Sequence, residues 1–460
     1  MADQTPDHAA APAGRPGWRQ HARRHRRGGQ SVPATGGQGG PGMSSSMKAS
    51  NWLWNFRVLW SAHFFSVASL TVLAPLLPFY LNEIGAGDTK QVLLWSGLAL
   101  AAPAVSYSLT APLWGKLGDK YGRKLMVVRA LFGLVLTLLL MSIAKSPFEF
   151  FLYRLFQGAF GGVVDAGAAF AGSQAPEDQR GRVFGKLESA VSAGSLIGPL
   201  LGGLLVSFWG FKPLLQGLAV LVALMAVAAI FLLHEKRSRE TTETEAYETS
   251  SGVFRTLQSF LRSRRLVAFL IGGLCANVAA YGLVPVFAPH VQNLTGDGEN
   301  AAAWVGMLQA VMWGTALFGA AWWGRRNDKA PVERNFAWAA LLCGIAVILQ
   351  AVPEKVEWLF ALRMLQGFAF SALLQSVFLE ISKSSSAANR GVRMGSASSI
   401  LVAGQVGGAM LGSTLGGFLS APYVFLVLGS VLIFGAVVVK FAGHLPKVSS
   451  LRYGGGVFKR

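Results

Sequence analysis

Long apolar stretches recur along the chain from residue 58 onward, with short polar loops between them. At about 17–25 residues, each is long enough to cross a hydrocarbon core of roughly 30 Å as a helix. Twelve spans are predicted, at 58–81, 92–113, 125–144, 147–172, 185–207, 212–233, 266–289, 301–323, 336–352, 356–381, 395–419 and 421–442. Prolines inside several spans are compatible with membrane helices, whose neighbours satisfy the freed carbonyls. The pattern predicts an all-α polytopic membrane protein.

The second half of the chain repeats polar positions of the first half. The pairs are Gly115 with Gly324, Asp119 with Asp328, Arg154 with Arg363, and the glycine-rich segment 194–203 with 408–417. Six spans precede the middle of the chain and six follow it. We therefore predict two pseudo-symmetric six-helix bundles, at 51–233 and 266–445, that rock around a shared substrate path.

Composition supports the membrane assignment and changes the interpretation of the charge. Apolar residues make up 52% of the chain and charged residues 14%, whereas a soluble protein carries about a quarter charged residues. The net charge of +19 would suggest nucleic-acid binding, but the basic residues are concentrated in the loops after spans 2, 4, 6, 8 and 10. By the positive-inside rule these loops and both termini are cytoplasmic, in an inner membrane. No nucleic-acid partner is expected.

Three segments outside the bundles are predicted to be polar. Residues 1–50 lack apolar periodicity and read as a disordered basic cytoplasmic tail, unless translation starts at Met43 or Met47. Residues 234–265 form a cytoplasmic linker that ends in a short amphipathic helix with apolar positions Phe254, Leu257, Phe260 and Leu261. Residues 446–460 form a second cytoplasmic tail. Two cysteines in different spans indicate neither a disulfide nor a metal site.

The loop after span 2, GKLGDKYGRK, combines glycines with opposite charges. Gly115 and Gly122 permit a tight turn, and Arg123 can pair with a carboxylate such as Asp119. We predict that this cluster, with its repeat mate Asp328, latches the two bundles together at the cytoplasmic side. The alternative is a basic loop that serves topology alone.

Two opposite charges lie within predicted span 4. Arg154 and Asp165 are eleven residues apart, a spacing that returns to nearly the same face of a continuous helix. Charges inside a membrane are costly unless they line a wet path or find partners. We predict that Asp165 carries a proton; the alternative is a static ion pair, for example with Arg129.

Further charged and aromatic residues are candidates for the same path. Glu188 and His63 are predicted to join a proton relay, although Glu188 lies near the end of its span and His63 suits packing equally well. Arg363, as the repeat mate of Arg154, is a candidate for substrate contact, whereas Glu380 is expected to be solvated near its loop. Trp60, Phe64, Tyr107, Phe287 and Trp313 are predicted to line an apolar substrate pocket or to face lipid.

Glycines spaced by four residues mark span 5. Gly194, Gly198 and Gly202 form one smooth stripe that permits a close helix contact, and the neighbouring Pro199 bends the helix. Packing alone is an equally good explanation of the stripe.

Four of these motifs together resemble the major facilitator superfamily, and within it the twelve-helix drug:proton antiporters. They are LTVLAPLLPFY in span 1, GKLGDKYGRK, YRLFQG in span 4 and GSLIGPLLGG in span 5. The resemblance covers roughly residues 55–445 and implies a proton-coupling role for Arg154 and an export role for the span 5 motif. Relatives pair the loop arginine with an acid at the end of the fourth helix. Here Ser173 and Gln174 stand in that region, so Glu177 or Asp178 would have to replace the acid.

We therefore expect a monomeric, proton-driven antiporter that exports small organic molecules such as drugs by alternating access. The first alternative is a dedicated exporter of an anionic metabolite such as a carboxylate siderophore, because Arg154 and Arg363 lie in facing halves and few acids are expected in the cavity. Uptake by proton symport and a transporter-like sensor are less favoured. The sequence has no nucleotide loop, metal-ligand spacing or nucleophile–base arrangement, so neither an enzyme nor a cofactor is expected. Its partners would be the substrate, protons and the lipid bilayer.

Overall fold

The computed structural model describes residues 42–175, 180–235, 258, 260–261, 263–296, 298–385 and 390–442. Within these ranges the chain is helical and contains no strand. The helices are α1 Gly42–Leu73, α2 Leu77–Glu83, α3 Thr89–Tyr121, α4 Arg123–Ser142, α5 Pro147–Ala159, α6 Val163–Gln174, α7 Arg180–Trp209, α8 Phe211–Leu232, α9 Arg264–Thr295, α10 Gly298–Lys329, α11 Val332–Leu349, α12 Trp358–Lys383, α13 Arg390–Phe418 and α14 Ala421–Ala442.

The predicted spans coincide with these helices. Eleven helices among the described residues are long and apolar enough to cross a membrane. Span 1 continues from α1 through a short 3-10 turn, Ala74–Leu76, into α2. Predicted span 4 is wrong as a continuous helix, because it consists of α5 and α6 with a break between them.

The tails and the linker fall largely outside the described ranges. Helix α1 begins at Gly42, inside the predicted tail. The described ranges do not include residues 1–41, the predicted C-terminal tail 446–460, or Glu177 and Asp178. Of the predicted amphipathic helix in the linker, Phe260 is buried and Leu261 is exposed.

Two groups of helices pack internally through small residues. In the first half, α3 packs on α5 and α4 on α8; in the second, α9 packs on α13 and α14, and α10 on α12. A Cβ on Gly412 would lie only 1.9 Å from the carbonyl oxygen of Gly282, so the backbones of α13 and α9 touch there. Such contacts stabilise helix pairs in lipid, where burial of apolar surface provides little driving force.

The helices alternate in direction, which defines two ends of the assembly. We call the end where α3 ends and α4 begins the basic end, and the other the opposite end. At the basic end of the second half, Arg265 donates hydrogen bonds to Glu333 at 2.9 Å and to Glu380 at 2.5 Å. Glu380 is buried, so the expectation that it is solvated is wrong: α9 and α11 supply the residues that cover it.

Candidate functional site

The two halves are in close contact near the opposite end. A Cβ on Gly97 of α3 would lie 2.8 Å from the carbonyl oxygen of Ala409 in α13, and one on Gly203 of α7 would lie 2.4 Å from that of Ala302 in α10. Helices α3, α7, α10 and α13 therefore form the contact between the halves. Only glycine allows this backbone approach.

The basic ends of the same four helices lie in open space. Gly115, Gly185, Gly324 and Gly395 lie one on each helix, and a Cβ at any of them would meet no atom within 4 Å. At these four positions the described parts of the halves are thus not in contact, whereas the same helices meet at the opposite end.

Gly306→Ala is expected to weaken the closed contact. Its Cβ would lie 2.4 Å from the Pro199 carbonyl oxygen and 3.0 Å from Gly203 Cα, and overpacking of this kind costs about 1–3 kcal/mol. The population open at the opposite end should rise at least about fivefold. The measurement is labelling of a cysteine at Leu93, which is buried in this contact region, by a membrane-impermeant maleimide.

Gly217→Ala is the matched control, because a Cβ there meets nothing within 4 Å. Equal labelling in Gly306→Ala and Gly217→Ala would contradict a role of Gly306 in closure.

The predicted glycine stripe of span 5 packs within the first half. A Cβ on Gly194 would lie 2.8 Å from the Phe64 carbonyl oxygen, and one on Gly198 would lie 2.6 Å from that of Ala68; Gly202 faces Val72 of the same helix, α1. Two residues of the motif face the other half: Pro199, through its carbonyl oxygen, and Gly203, which lies against Ala302 and Gly306. The motif thus fixes α7 on α1 with its glycine stripe and meets α10 at Pro199 and Gly203.

The predicted latch is exposed and its charges pair locally. Arg123 donates to Asp119 one turn away, and Asp119 is more than half exposed (57%). Gly122 has a φ of 106°, which favours glycine. Asp328, its counterpart in the second half, is also exposed. In this state Asp119 has no ion pair with the second half among the described residues.

A carboxylate that sequence reasoning missed holds this loop. Glu235, just beyond α8, accepts hydrogen bonds from the backbone N–H groups of Arg123 at 2.7 Å and Lys124 at 3.0 Å. These are orphan donors at the start of α4, where a negative charge is stabilising. Its only sequence signal was an acid among the basic residues after span 6.

A cavity of about 160 Å³ lies between the halves. The first half contributes Thr71, Ala74, Pro75, Leu100 and Pro199, and the second contributes Ala280, Tyr281, Leu283, Val284, Phe287, Gln309, Met312, Trp313, Arg363, Gln366 and Phe370. Its wall is apolar and aromatic except for a few polar groups, the usual lining of a small-molecule site. Of the predicted pocket residues, Arg363, Phe287 and Trp313 line this cavity.

Arg363 is the cation of the cavity. Its guanidinium carbon lies 3.4 Å from the centroid of the Phe287 ring, and its Nη1 donates to Gln366 Oε1 at 3.0 Å. Gln350 donates to the same oxygen at 3.0 Å, while Arg363 Nε has no hydrogen-bond partner. Among the described residues no carboxylate pairs with Arg363. In the sequence, Gln366 follows Arg363 by three residues, as Gln157 follows Arg154 in the first copy of the repeat.

Arg154 is buried in the first half in a similar way. Its Nε donates to the carbonyl oxygen of Ala99 at 2.9 Å, and its Nη1 donates to Gln157. It has no ion pair among the described residues either. Arg154 is not part of the cavity wall. Of the two repeat-related arginines, Arg363 lines the cavity and Arg154 does not.

The break between α5 and α6 is held by side-chain donors. Trp114 Nε1 donates to the Ala159 carbonyl oxygen at 2.7 Å and Thr110 to the same oxygen at 3.1 Å. Arg129 Nη2 donates to the Gly161 carbonyl oxygen at 3.0 Å. Carbonyls freed within a membrane require such partners. Gly162 adopts a left-handed conformation with a φ of 90°.

Asp165 lies just after this break, in the first turn of α6. Its carboxylate accepts a hydrogen bond from the Tyr107 hydroxyl of α3. The alternative of an ion pair with Arg129 is wrong, because Arg129 instead stacks 3.8 Å from the Trp114 ring centroid and binds Gly161. The predicted shared face of Arg154 and Asp165 also fails, since the two residues belong to different helices.

His63 is buried between α1 and α6. Its Nδ1 lies 2.7 Å from the Leu59 carbonyl oxygen and its Nε2 lies 3.2 Å from that of Val164. Only the imidazolium form has two N–H groups to donate to both. A Cβ on Gly167 would lie 2.2 Å from His63 Cε1, so this glycine makes room for the ring.

Glu188 and the remaining aromatic residues lie toward the basic end. Glu188 is exposed. Trp60 stacks on Phe64 and donates to Ser189 at 3.3 Å. Trp60, Phe64 and Tyr107 are not part of the wall of this cavity; they lie beside the proton candidates, and their place on a substrate path stays a prediction.

Comparison with known proteins gives relatives along most of the chain. A Staphyloferrin B transporter of Staphylococcus aureus (strain NCTC 8325 / PS 47) is 40% identical over 83% of this chain and 91% of that protein. The multidrug resistance protein MdtG of Klebsiella pneumoniae (strain 342) is 27% identical over 86% and 95%.

Solved structures share the fold at low sequence identity. The nucleoside transporter NupG matches at 14% identity with a TM-score of 0.67, over 84% of this chain and 98% of that one. A bacterial homolog of the human lysosomal transporter Spinster matches at 14% identity with a TM-score of 0.61, over 86% and 95%.

The family profile of the Major Facilitator Superfamily matches residues 59–348 and, again, 269–453. These ranges cover both halves of the repeat, the cavity between them and the loop at Gly115–Lys124. The chain therefore belongs to the Major Facilitator Superfamily and is a multi-pass membrane transporter.

Proposed function

We propose that this transporter is a proton-driven exporter that works by alternating access. The basic end faces the cytoplasm in this proposal, because cytoplasmic loops carry the excess of Lys and Arg. The structure then corresponds to the inward-open state, in which cargo enters the cavity from the cytoplasm. Closure of the basic ends of α3, α7, α10 and α13, with parting of Gly203 from Ala302, would expose the cavity outside.

We propose that the cargo is anionic. The main support is that two buried arginines have no carboxylate partner in the described part of the chain. Arg363 lies in the cavity wall with a free Nε and no acid beside it, and Arg154 is also without an acid among the described residues. A buried cation without a partner is costly, and a carboxylate of the cargo would offset that cost by charge-assisted hydrogen bonds. The relative at 40% identity is named for one compound. A dedicated exporter of an anionic metabolite such as a carboxylate siderophore fits these observations best.

A second candidate function is multidrug efflux. Tyr281, Phe287, Trp313 and Phe370 give the cavity an aromatic wall, which would accept apolar compounds of varied shape. The MdtG relatives are named for multidrug resistance. In this reading, Arg363 would orient cargo rather than select it.

Proton coupling would use the titratable side chains beside the break between α5 and α6. Asp165 accepts from Tyr107 and faces the open side, so it can exchange protons with the cytoplasm in this state. When His63 takes up a second proton, the carbonyl oxygens of Leu59 and Val164 would accept hydrogen bonds from its two N–H groups. Glu188 would lie on the route from these groups to solvent. Arg154 of α5 donates a hydrogen bond to Ala99 of α3, so a movement of α5 relative to α3 would change this hydrogen bond.

The loop around Asp119 and Arg123 would latch the cytoplasmic side when it closes. In the open state Asp119 is exposed and paired with Arg123. On closure, Asp119 is expected to approach the second half and exchange this partner for a helix N-terminus there.

The experiment that tests the cargo is a comparison of cell contents. Untargeted mass spectrometry would measure what a deletion strain retains relative to its parent, in iron-replete and iron-starved media. We expect retention of one anionic compound, restored to normal by the wild-type gene. Higher accumulation of added dyes and antibiotics, without a retained metabolite, would favour multidrug efflux instead.

A further inference from the structure

A groove on the outer surface of the second half is separate from the cavity between the halves. Helices α11 and α14 pack together, and they touch where a Cβ on Gly344 would lie 2.7 Å from the Gly429 carbonyl oxygen. Toward the basic end they enclose a groove of about 420 Å³. The groove is lined by Pro331, Glu333, Arg334, Ala337, Trp338, Leu341, Ile433, Ala436, Val437 and Lys440.

The groove has a cationic end and an apolar end. On α11 the lining residues Arg334, Trp338 and Leu341 follow the spacing i, i+4, i+7, which places them on one face. On the antiparallel α14, Ile433, Val437 and Lys440 follow the same spacing. Because α11 begins and α14 ends at the basic end, both cations lie there and the apolar side chains lie deeper in the membrane.

The two cations have no ion pair among the described residues. Arg334 and Lys440 are both exposed. The acid of the groove, Glu333, is bound to Arg265 at 2.9 Å, and Arg265 also holds Glu380. The positive end of the groove is therefore left to attract an anion from outside the protein.

We propose that this groove binds an anionic phospholipid from the leaflet at the basic end. Its phosphate would lie between Arg334 and Lys440, and an acyl chain would run past Trp338 and Val437 toward Gly344. Basic pockets between membrane helices select anionic head groups in this way. The inference does not depend on the cargo or on the proton pathway.

The first test is native mass spectrometry of the full-length protein with phosphatidylglycerol and phosphatidylethanolamine of identical acyl chains. Wild type should retain phosphatidylglycerol in preference to phosphatidylethanolamine. In Arg334→Ala/Lys440→Ala this preference should fall about 30-fold, because each basic residue near a membrane surface contributes about 1 kcal/mol.

The matched control is Arg264→Ala/Lys383→Ala. It removes two exposed cations from the same end of the same half but outside the groove. The control should keep the wild-type preference. Three outcomes would each overturn the proposal. They are an equal loss of preference in both double variants, equal retention of the two lipids by wild type, and binding of a second copy of the chain in place of lipid.

A second measurement locates the lipid. Trp338 is 53% exposed in the groove, so phosphatidylglycerol with brominated acyl chains should quench its fluorescence more than brominated phosphatidylethanolamine does in vesicles of matched composition. The difference between the two lipids should disappear in Trp338→Phe and in Arg334→Ala/Lys440→Ala. A difference that persists in Trp338→Phe would place the lipid elsewhere and overturn the assignment.

Discussion

Arg363→Ala is expected to lower kcat/KM for transport of an anionic cargo at least about 30-fold. The guanidinium is buried in the cavity wall, stacks on Phe287, and its Nε has no hydrogen-bond partner. Truncating one partner of a buried charge pair costs about 2–5 kcal/mol, and the lower value corresponds to ~30-fold. Arg363→Lys should recover part of the loss, because lysine keeps the charge but not the planar fork.

The measurement is transport into proteoliposomes of a carboxylate siderophore as the anionic probe, with a cationic dye beside it. Lys383→Ala, which removes an exposed charge from the same helix α12, should transport normally. A selective loss of the anionic probe would support recognition by Arg363. If Arg363→Ala lost both probes equally and also melted earlier than wild type, the arginine would be structural and the anionic proposal would fail.

Asp165→Asn is expected to reduce proton-driven transport to the level of empty liposomes. Asparagine keeps the size of the side chain and an oxygen that accepts from Tyr107, but it cannot take up and release a proton. Cargo exchange without a gradient does not require that step and should continue. The measurement compares uphill transport under an imposed pH gradient with counterflow at equal pH.

Glu188→Gln tests the second carboxylate of the proposed proton route. It removes an exposed carboxylate at the basic end and should leave uphill transport measurable. Uphill transport that survives in Asp165→Asn but is lost in Glu188→Gln would move the proton carrier to Glu188. Loss of counterflow in Asp165→Asn would show that the residue is needed for the cycle itself rather than for coupling.

Much of the fold was predictable because membrane length is a strong constraint. A helix must be long enough to cross the hydrocarbon core, so apolar runs locate the helices, and the repeated Arg154 and Arg363 relate the two halves. Gly161 and Gly162 did not reveal the break between α5 and α6, because glycines are frequent in membrane helices.

The candidate site was predictable only where the repeat marked it. Arg363 was found through its mate Arg154. The partners of Glu380, and the docking of Glu235 on α4, depend on which helix ends meet in three dimensions. The position of Trp60 and Phe64 outside the cavity wall was not predictable for the same reason, since aromatic composition does not determine which face of α1 meets the cavity.

The break between α5 and α6 also determines where the chain tolerates a change in length. A residue added to a continuous α-helix rotates everything beyond it by about 100°. An insertion between Gly161 and Gly162 falls in a segment that is already non-helical, so the turn can absorb it. In α12, where Phe370 and Ser371 occupy the corresponding positions in an unbroken helix, the same insertion would rotate one end of the helix relative to Arg363. Natural variation in chain length should therefore accumulate in the fourth span and be excluded from the tenth.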